Sequence, residues 1–264
     1  NCLAALAATD LPLASVLQHR FGEDSILGGH PVGNILLAAL FERTGSVESA
    51  VAELSRMLRL RGRVIPCSAA DVHLRAVLRD GRTIIGETAI VDARQPIERL
   101  EIVPQAQPIP DAIRALVNAS VVVLGPGSLY TSVICNLLVT GIGATLSGLT
   151  ATRIYVANLM TQPGETDGYT VEDHVDAILR HVPGKPLDYV LVNMTAIPTD
   201  VAALYRHEGG ERVERRSAAR TYRGIRIVER ELGCVAEDGK IRHCPDKLAA
   251  AILDLAAGRG SASN

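Results

Sequence analysis

A chain of 264 residues with 47% hydrophobic and 21% charged residues can bury a full core, which excludes a largely disordered protein. Its net charge of −2, 3% aromatics and lack of Trp exclude the basic footprint of a general nucleic-acid or membrane-surface binder and any platform for base stacking. Five cysteines without a CxxC pair signal neither a disulfide framework nor a zinc cage and point to a reducing compartment, the cytoplasm, and no apolar run reaches the length of a membrane span.

The chain opens on Asn1 directly in a helical pattern, so a further N-terminal segment is expected ahead of it. Residues 1–20 read as helix, broken near Gly22. Residues 33–40 start a second helix, and Ser46, with acidic residues following, reads as the N-cap of a third that runs to Leu60. Residues 63–66 read as a short strand. Residues 72–79 and 82–91 alternate apolar and polar side chains on either side of Asp80-Gly81, the pattern of a hairpin closed by a type I′ turn. That hairpin reads as an antiparallel excursion from the main sheet, an insertion over about 63–103.

From Pro108 the pattern becomes β/α alternation. A helix over 110–118 precedes the buried strand 121–124, and helices over 131–139 and 143–149 follow. Next come a strand over 153–158, a long loop over 159–169, and a helix to His181 entered through a Thr170/Asp173 capping box. A strand over 189–192, a helix over 199–205, a solvated Arg/Glu-rich connector over 211–223, a strand over 225–228 and a helix over 246–256 complete the chain. Strands alternating with helices imply right-handed βαβ units. The expected fold is α/β: a Rossmann-like three-layer sandwich with a mainly parallel sheet, read as one domain over 1–264.

Two segments at the same sheet edge carry the chemistry. The first is Gly125-Pro126-Gly127-Ser128-Leu129-Tyr130-Thr131-Ser132, where a buried strand enters a glycine turn and a helix begins. Unpaired N–H groups and the helix dipole at such a start favour an anion, Gly125 and Gly127 let it approach the backbone, and Ser128, Thr131 and Ser132 supply hydroxyl donors. The competing reading is a tight connection in which a hydroxyl merely caps the helix; three hydroxyls in five residues favour anion binding. The second is the loop from Asn158 to Tyr169, long for a β-to-α connection and placed where open α/β sheets bind ligands. Here Glu165 and Asp167 suit sugar hydroxyls or a Mg²⁺ bridging to phosphate, and Asn158 and Thr161 suit a base or amide; the competing reading is a solvated loop. A third segment, Gly28-Gly29-His30-Pro31-Val32-Gly33-Asn34, offers His30 and Asn34 as further polar contacts, against the plainer reading of a loop histidine bonded to backbone. His174 reads as surface or structural, Cys135 as a small buried hydrophobe, and Asp71 with His73 is weak evidence for a metal site.

At these motifs the sequence resembles the family that joins the YvcK-type proteins, or gluconeogenesis factors, to 2-phospho-L-lactate transferase (CofD-like). The stretches 29–40, 125–132 and 158–169 with Glu172-Asp173-His174 carry the resemblance, and the latter stretches look like the YvcK branch. The resemblance implies a Rossmann-like fold, binding of UDP-sugars such as UDP-N-acetylglucosamine or of a NAD-like dinucleotide, and a regulatory part in cell shape and cell-wall control during gluconeogenic growth. It leaves room for a homo-oligomer and for protein partners in that regulation. The transferase branch moves a phospholactyl group from a nucleotide-activated donor to a deazaflavin precursor with Mg²⁺. The family pattern also implies an upstream strand, a Gly-rich loop and an Asp-Asp-Gly-Gly segment ahead of Asn1.

Overall fold

The computed structural model describes residues 2–7, 12–22 and 24–258. They divide into two compact units, one within Asn1–Ala69 plus Ile109–Ala112 and the other within Ala70–Pro108 plus Ile113–Asn264, where the sequence pattern reads as one domain.

The first unit is helical: α1 (Cys2–Leu6), α2 (Pro12–Gln18), α3 (Val32–Thr44) and α4 (Val47–Met57). The helix expected over 1–20 is therefore two helices, and residues 8–11 between them lie outside the described residues. α3 stops at Gly45, whose φ of +69° is the left-handed cap that returns its N–H to the Phe41 carbonyl. One residue later Ser46 starts α4, its hydroxyl accepting from the Ser49 N–H. Ala7, Leu17, Leu40, Ala50, Leu54 and Leu58 form this unit's core. No strand forms over 63–66; Cys67 accepts a single backbone bond from Ile109, and one such bond is no ladder.

In the second unit, β1 (His73–Leu78), β2 (Thr83–Ile85) and β3 (Ile97–Val103) form an antiparallel sheet in the order β2-β1-β3, with α5 (Glu87–Asp92) between β2 and β3. The hairpin thus forms, with a different turn. Only Gly81 has positive φ, +87°, whereas a type I′ turn needs it at both central residues. Gly81 N–H donates to Leu78 and Leu78 N–H to Arg82, which makes a three-residue loop with a glycine bulge. The Asp80 carboxylate accepts from the Arg82 N–H (3.0 Å) and so holds Asp80 on the negative-φ side. Alternation after Arg82 also ends early, because Gly86 (φ +102°) turns the chain into α5.

After α6 (Pro110–Val117) come β4 (Val121–Leu124), a π-helical segment (Leu129–Ile134) running into α7 (Cys135–Leu137), then α8 (Ile142–Gly148), β5 (Thr152–Val156) and α9 (Val171–His181). β6 (Tyr189–Asn193), α10 (Thr199–Glu208), β7 (Thr221–Tyr222), β8 (Ile225–Arg230), β9 (Gly233–Val235), β10 (Ile241–His243) and α11 (Pro245–Ala256) follow. The main sheet has the order β4-β5-β6-β8-β7 and is parallel except for β7. Its two faces are sorted by residue parity, as a pleated strand requires. Tyr155, Val190 and Val192 face the core shared with Val171, Val175 and Ile178 of α9, whereas Ile154, Leu191 and Val228 face Ala251 and Leu255 of α11. Helix, sheet and helix are the three layers of an α/β fold. The capping box at Thr170/Asp173 is present with both of its hydrogen bonds. The connector expected to be solvated is instead tied down over its first half: Val213 is buried, Val171 N–H donates to Glu214, and Val213 N–H to Leu159.

Candidate functional site

β4 and β5 end side by side, in register from Val121 with Thr152 to Leu124 with Tyr155, so the loops that follow them emerge at one edge. Gly125 has φ +84°, and a Cβ there would stand 3.2 Å from the Val156 carbonyl oxygen. Only glycine lets the loop cross the end of β5 so closely.

Beyond it, the N–H groups at the helix entrance divide into three sets. Those of Ser132 and Val133 donate to the Ser128 carbonyl, each at 3.0 Å. Those of Tyr130 and Thr131 are taken by Glu165: Tyr130 N–H reaches Oε2 at 3.3 Å, the Thr131 backbone also bonds the carboxylate, and Thr131 Oγ1 donates to Oε1 at 2.8 Å. Those of Gly127, Ser128 and Leu129 have no acceptor among the described residues. Gly127 and Ser128 line the cleft described below, whereas Leu129 is fully buried, so the free N–H groups of Gly127 and Ser128 are the ones placed to meet an anion.

Glu165, 3% exposed, therefore acts as a built-in anion that braces the helix entrance. Burial pushes its carboxyl above the ordinary value, and the hydrogen bonds from Thr131 and Tyr130 oppose that shift. The rest of its loop is also self-organised. Asp167 is exposed and accepts from the Gly164 N–H (2.8 Å), away from the clefts described below. Thr161 bridges to the connector, its N–H donating to the Glu211 carbonyl (2.6 Å) and its Oγ1 accepting from the Glu211 N–H (2.8 Å). Asn158 donates to Gln162 Oε1 (3.2 Å), and Gln162 Nε2 donates to Ser128 Oγ (2.8 Å). Gln162 is thus the link between the two loops, a role its place within a polar run does not reveal.

Between the loops lies a cleft of about 630 Å³. Pro126, Gly127, Ser128 and Ser132 form one side, Asn158, Thr161 and Gln162 another, and Tyr205 of α10 with Ile241, Arg242 and His243 of β10 close it. No carboxylate lines it. His243 Nε2 is buried without a partner; burial pushes this imidazole below its ordinary value, opposed by a hydrogen bond to the Ala157 backbone. Arg242 meets Asp238 through two contacts of 2.7 and 2.6 Å. An adjoining hollow of about 740 Å³ shares Ser128, Thr161, Gln162 and Tyr205 and adds Arg94, Lys240, Glu87 and Glu208.

Gly127, Ser128, Ser132, Asn158 and Thr161 are thus brought to one cleft, Thr131 and Glu165 reach the adjoining hollow, and Gly125 sits beneath as the packing glycine. His30 and Asn34, both exposed, belong to the first unit, ahead of and within the first turn of α3. The sequence reading passes over the β10 residues, although Asp238-Gly239 repeats the turn dipeptide of Asp80-Gly81. Among the described residues no three His, Cys, Asp or Glu side chains gather as metal ligands. The donors at the cleft, amides, hydroxyls, Arg and His, suit phosphate oxygens and not a bare Mg²⁺, which prefers oxygen ligands.

Comparison with known proteins places the chain in a family. The family model described as 2-phospho-L-lactate transferase CofD matches residues 1–233. A gluconeogenesis factor of Bacillus subtilis is 38% identical over 97% of this chain and 80% of its own length. A putative gluconeogenesis factor of Nostoc is 42% identical over 96% of this chain, which spans 56% of that relative. For a Deinococcus radiodurans relative of the same description the identity is 40% and the span 54%. The crystal structure of a UPF0052 family member from Bacillus halodurans superposes with a TM-score of 0.90 at 37% identity, over 95% of this chain and 81% of that one.

Proposed function

The chain belongs to the CofD family, on its gluconeogenesis-factor branch, and from that premise we propose that it is a regulator that binds a nucleotide sugar of the UDP-N-acetylglucosamine type. The diphosphate rests on the N–H groups of Gly127 and Ser128, with the Ser128 and Ser132 hydroxyls beside it. Arg242 and His243 face it from β10. Asn158 and Gln162 present the amide groups that read a uracil or an acetamido group, and Tyr205 supplies a flat wall. The observation that carries this reading is the pair of unclaimed N–H donors of Gly127 and Ser128 in a cleft that no carboxylate lines among the described residues. In the cell, the role is control of cell shape and cell-wall synthesis during gluconeogenic growth, alone or as a homo-oligomer with protein partners.

The second reading is the transfer of a phospholactyl group to a deazaflavin, which the family description favours. It calls for a metal or acid–base group beside the diphosphate. A thermal-shift panel separates the readings. UDP-N-acetylglucosamine at saturating concentration raises the melting temperature, more than NAD, which offers a diphosphate without the uracil and acetamido groups. Equal silence for both ligands overturns the proposal. Mg²⁺-dependent product from an activated phospholactate and a deazaflavin acceptor replaces it with the transferase.

A further inference from the structure

The hollow beside the cleft differs from it in chemistry. The two spaces share Ser128, Thr161, Gln162 and Tyr205, and the bond from Gln162 Nε2 to Ser128 Oγ (2.8 Å) lies where they meet. No carboxylate lines the cleft, whereas Glu87, Glu165 and Glu208 line the hollow together with Arg94 and Lys240. Its volume of about 740 Å³ is within the range of small-molecule sites.

Two of these charged groups are uncommitted. Glu165 holds the helix entrance, and Lys240 and Glu208 pair at 3.3 Å. The Glu87 carboxylate and the Arg94 guanidinium have no hydrogen bond or ion pair among the described residues. Both come from the segment between β2 and β3: Glu87 begins α5, Val91 follows one turn later, and Arg94 stands just past its end, all three on the hollow. α3 and α10 end on glycines in the left-handed conformation, Gly45 and Gly209. After α5 that conformation falls to Arg94, with φ +45°, where a side chain is disfavoured. An unpaired arginine at a glycine's post points to a task other than holding the fold. The wall is also fixed in place. A Cβ on Gly164 would stand 2.2 Å from the Val91 carbonyl oxygen, so α5 packs on the loop after β5 more closely than any other residue at 164 allows.

We propose that the hollow is the hexose subsite of a nucleotide sugar, and that α5 with Arg94 makes it select a neutral sugar. This rests on the nucleotide-sugar reading above. With the diphosphate at Gly127 and Ser128 and the base in the cleft, the sugar passes Gln162 into the hollow. Its hydroxyls both donate and accept, which matches a free carboxylate at Glu87 and a free guanidinium at Arg94. Val91 and Pro163 offer an apolar surface to the C–H face of the ring. A sugar bearing its own carboxylate would bring a like charge to Glu87, Glu165 and Glu208 and is discriminated against.

The test is calorimetry on the full chain with UDP, UDP-N-acetylglucosamine, UDP-glucose and UDP-glucuronic acid. Glu87 and Arg94 are exposed and glycine suits the left-handed backbone at 94, so Glu87→Ala and Arg94→Gly are expected to keep the melting temperature of the wild type. Each should weaken UDP-N-acetylglucosamine about tenfold and UDP far less. UDP-glucuronic acid should bind more weakly than UDP-glucose, which differs from it only in lacking the carboxylate. Variants that weaken UDP and the nucleotide sugar equally, or weaken neither, overturn the hexose subsite and leave the cleft standing. A preference for UDP-glucuronic acid overturns the selection of a neutral sugar. No binding of any of the four ligands to the wild type overturns the nucleotide-sugar reading, and this proposal with it.

Discussion

At Glu165 the helix entrance has recruited its own anion, and what is left for a ligand is the turn just ahead of it. Replacing Glu165 by Ala strands the Tyr130 and Thr131 N–H groups in a buried place, and a loss of about 1–3 kcal/mol in denaturant unfolding is expected. A Cβ at Gly127 would stand 3.1 Å from Ser132 Cβ, tighter than ordinary contact, so Gly127→Ala must displace Ser132 and is expected to lower the melting temperature modestly and to weaken ligand binding by crowding the approach. Gly164 is the more severe case. With φ +87° and a Cβ position 2.2 Å from the Val91 carbonyl oxygen, Gly164→Ala is expected to destabilise the protein by more than about 1–2 kcal/mol, read in the same unfolding experiment. At this scale the sequence discloses which residue types gather, since glycines and hydroxyls at a strand end announce themselves. It does not disclose which N–H is already spent, because Glu165 lies 35 residues from Tyr130 along the chain.

At the foot of β5, Arg153 is almost fully buried and pairs with Asp188 through Nε at 2.9 Å and Nη2 at 2.8 Å, with Lys185 O accepting from Nη1 at 2.7 Å. Arg153→Ala leaves the carboxylate without its principal partner and is expected to cost about 3–5 kcal/mol, seen as a lower denaturation midpoint. On α9, His174 is fully buried between Tyr155 and Tyr169, with Nδ1 on the Thr170 carbonyl and no partner for Nε2. Burial, set against that backbone bond, holds its folded value below the ordinary 6.5. The unfolded chain therefore binds a proton that the folded chain refuses. The stability tied to His174 is present above 6.5 and is lost as the pH falls from there toward the folded value. His174→Phe should flatten the dependence of melting temperature on pH across that window; an unchanged slope would assign it to His181 or His243, whose values burial lowers in the same direction. Periodicity makes α4, α9 and the β/α alternation readable because each has one apolar face, and the capping residues Ser46 and Thr170 mark their starts. It fails at 63–66, where an apolar run has no ladder to join, and at 211–216, where charged side chains sit on a backbone pinned to Leu159 and Val171. Backbone pairing leaves no trace in side-chain polarity.

For the molecule as a whole, a net charge of −2 supplies no general basic field, so the proposed anion has to be held by local arrangement. Among the described residues no single helix is long and apolar enough to cross a membrane. The parallel sheet brings the loops after β4 and β5 to one edge, and β10 adds Arg242 and His243 there, so the cleft is lined by segments over a hundred residues apart. That assembly was legible in part: the two loops are visible in the sequence as strand-end polar runs, whereas β10 enters the cleft only through the path of the folded chain. The most direct test follows the backbone amide resonances of the isotope-labelled protein during titration with UDP-N-acetylglucosamine. Large shifts are expected at Gly127 and Ser128, with Tyr130 and Thr131, already bonded to Glu165, moving little. Saturable binding that leaves the Gly127 and Ser128 amides unmoved would contradict the proposed site.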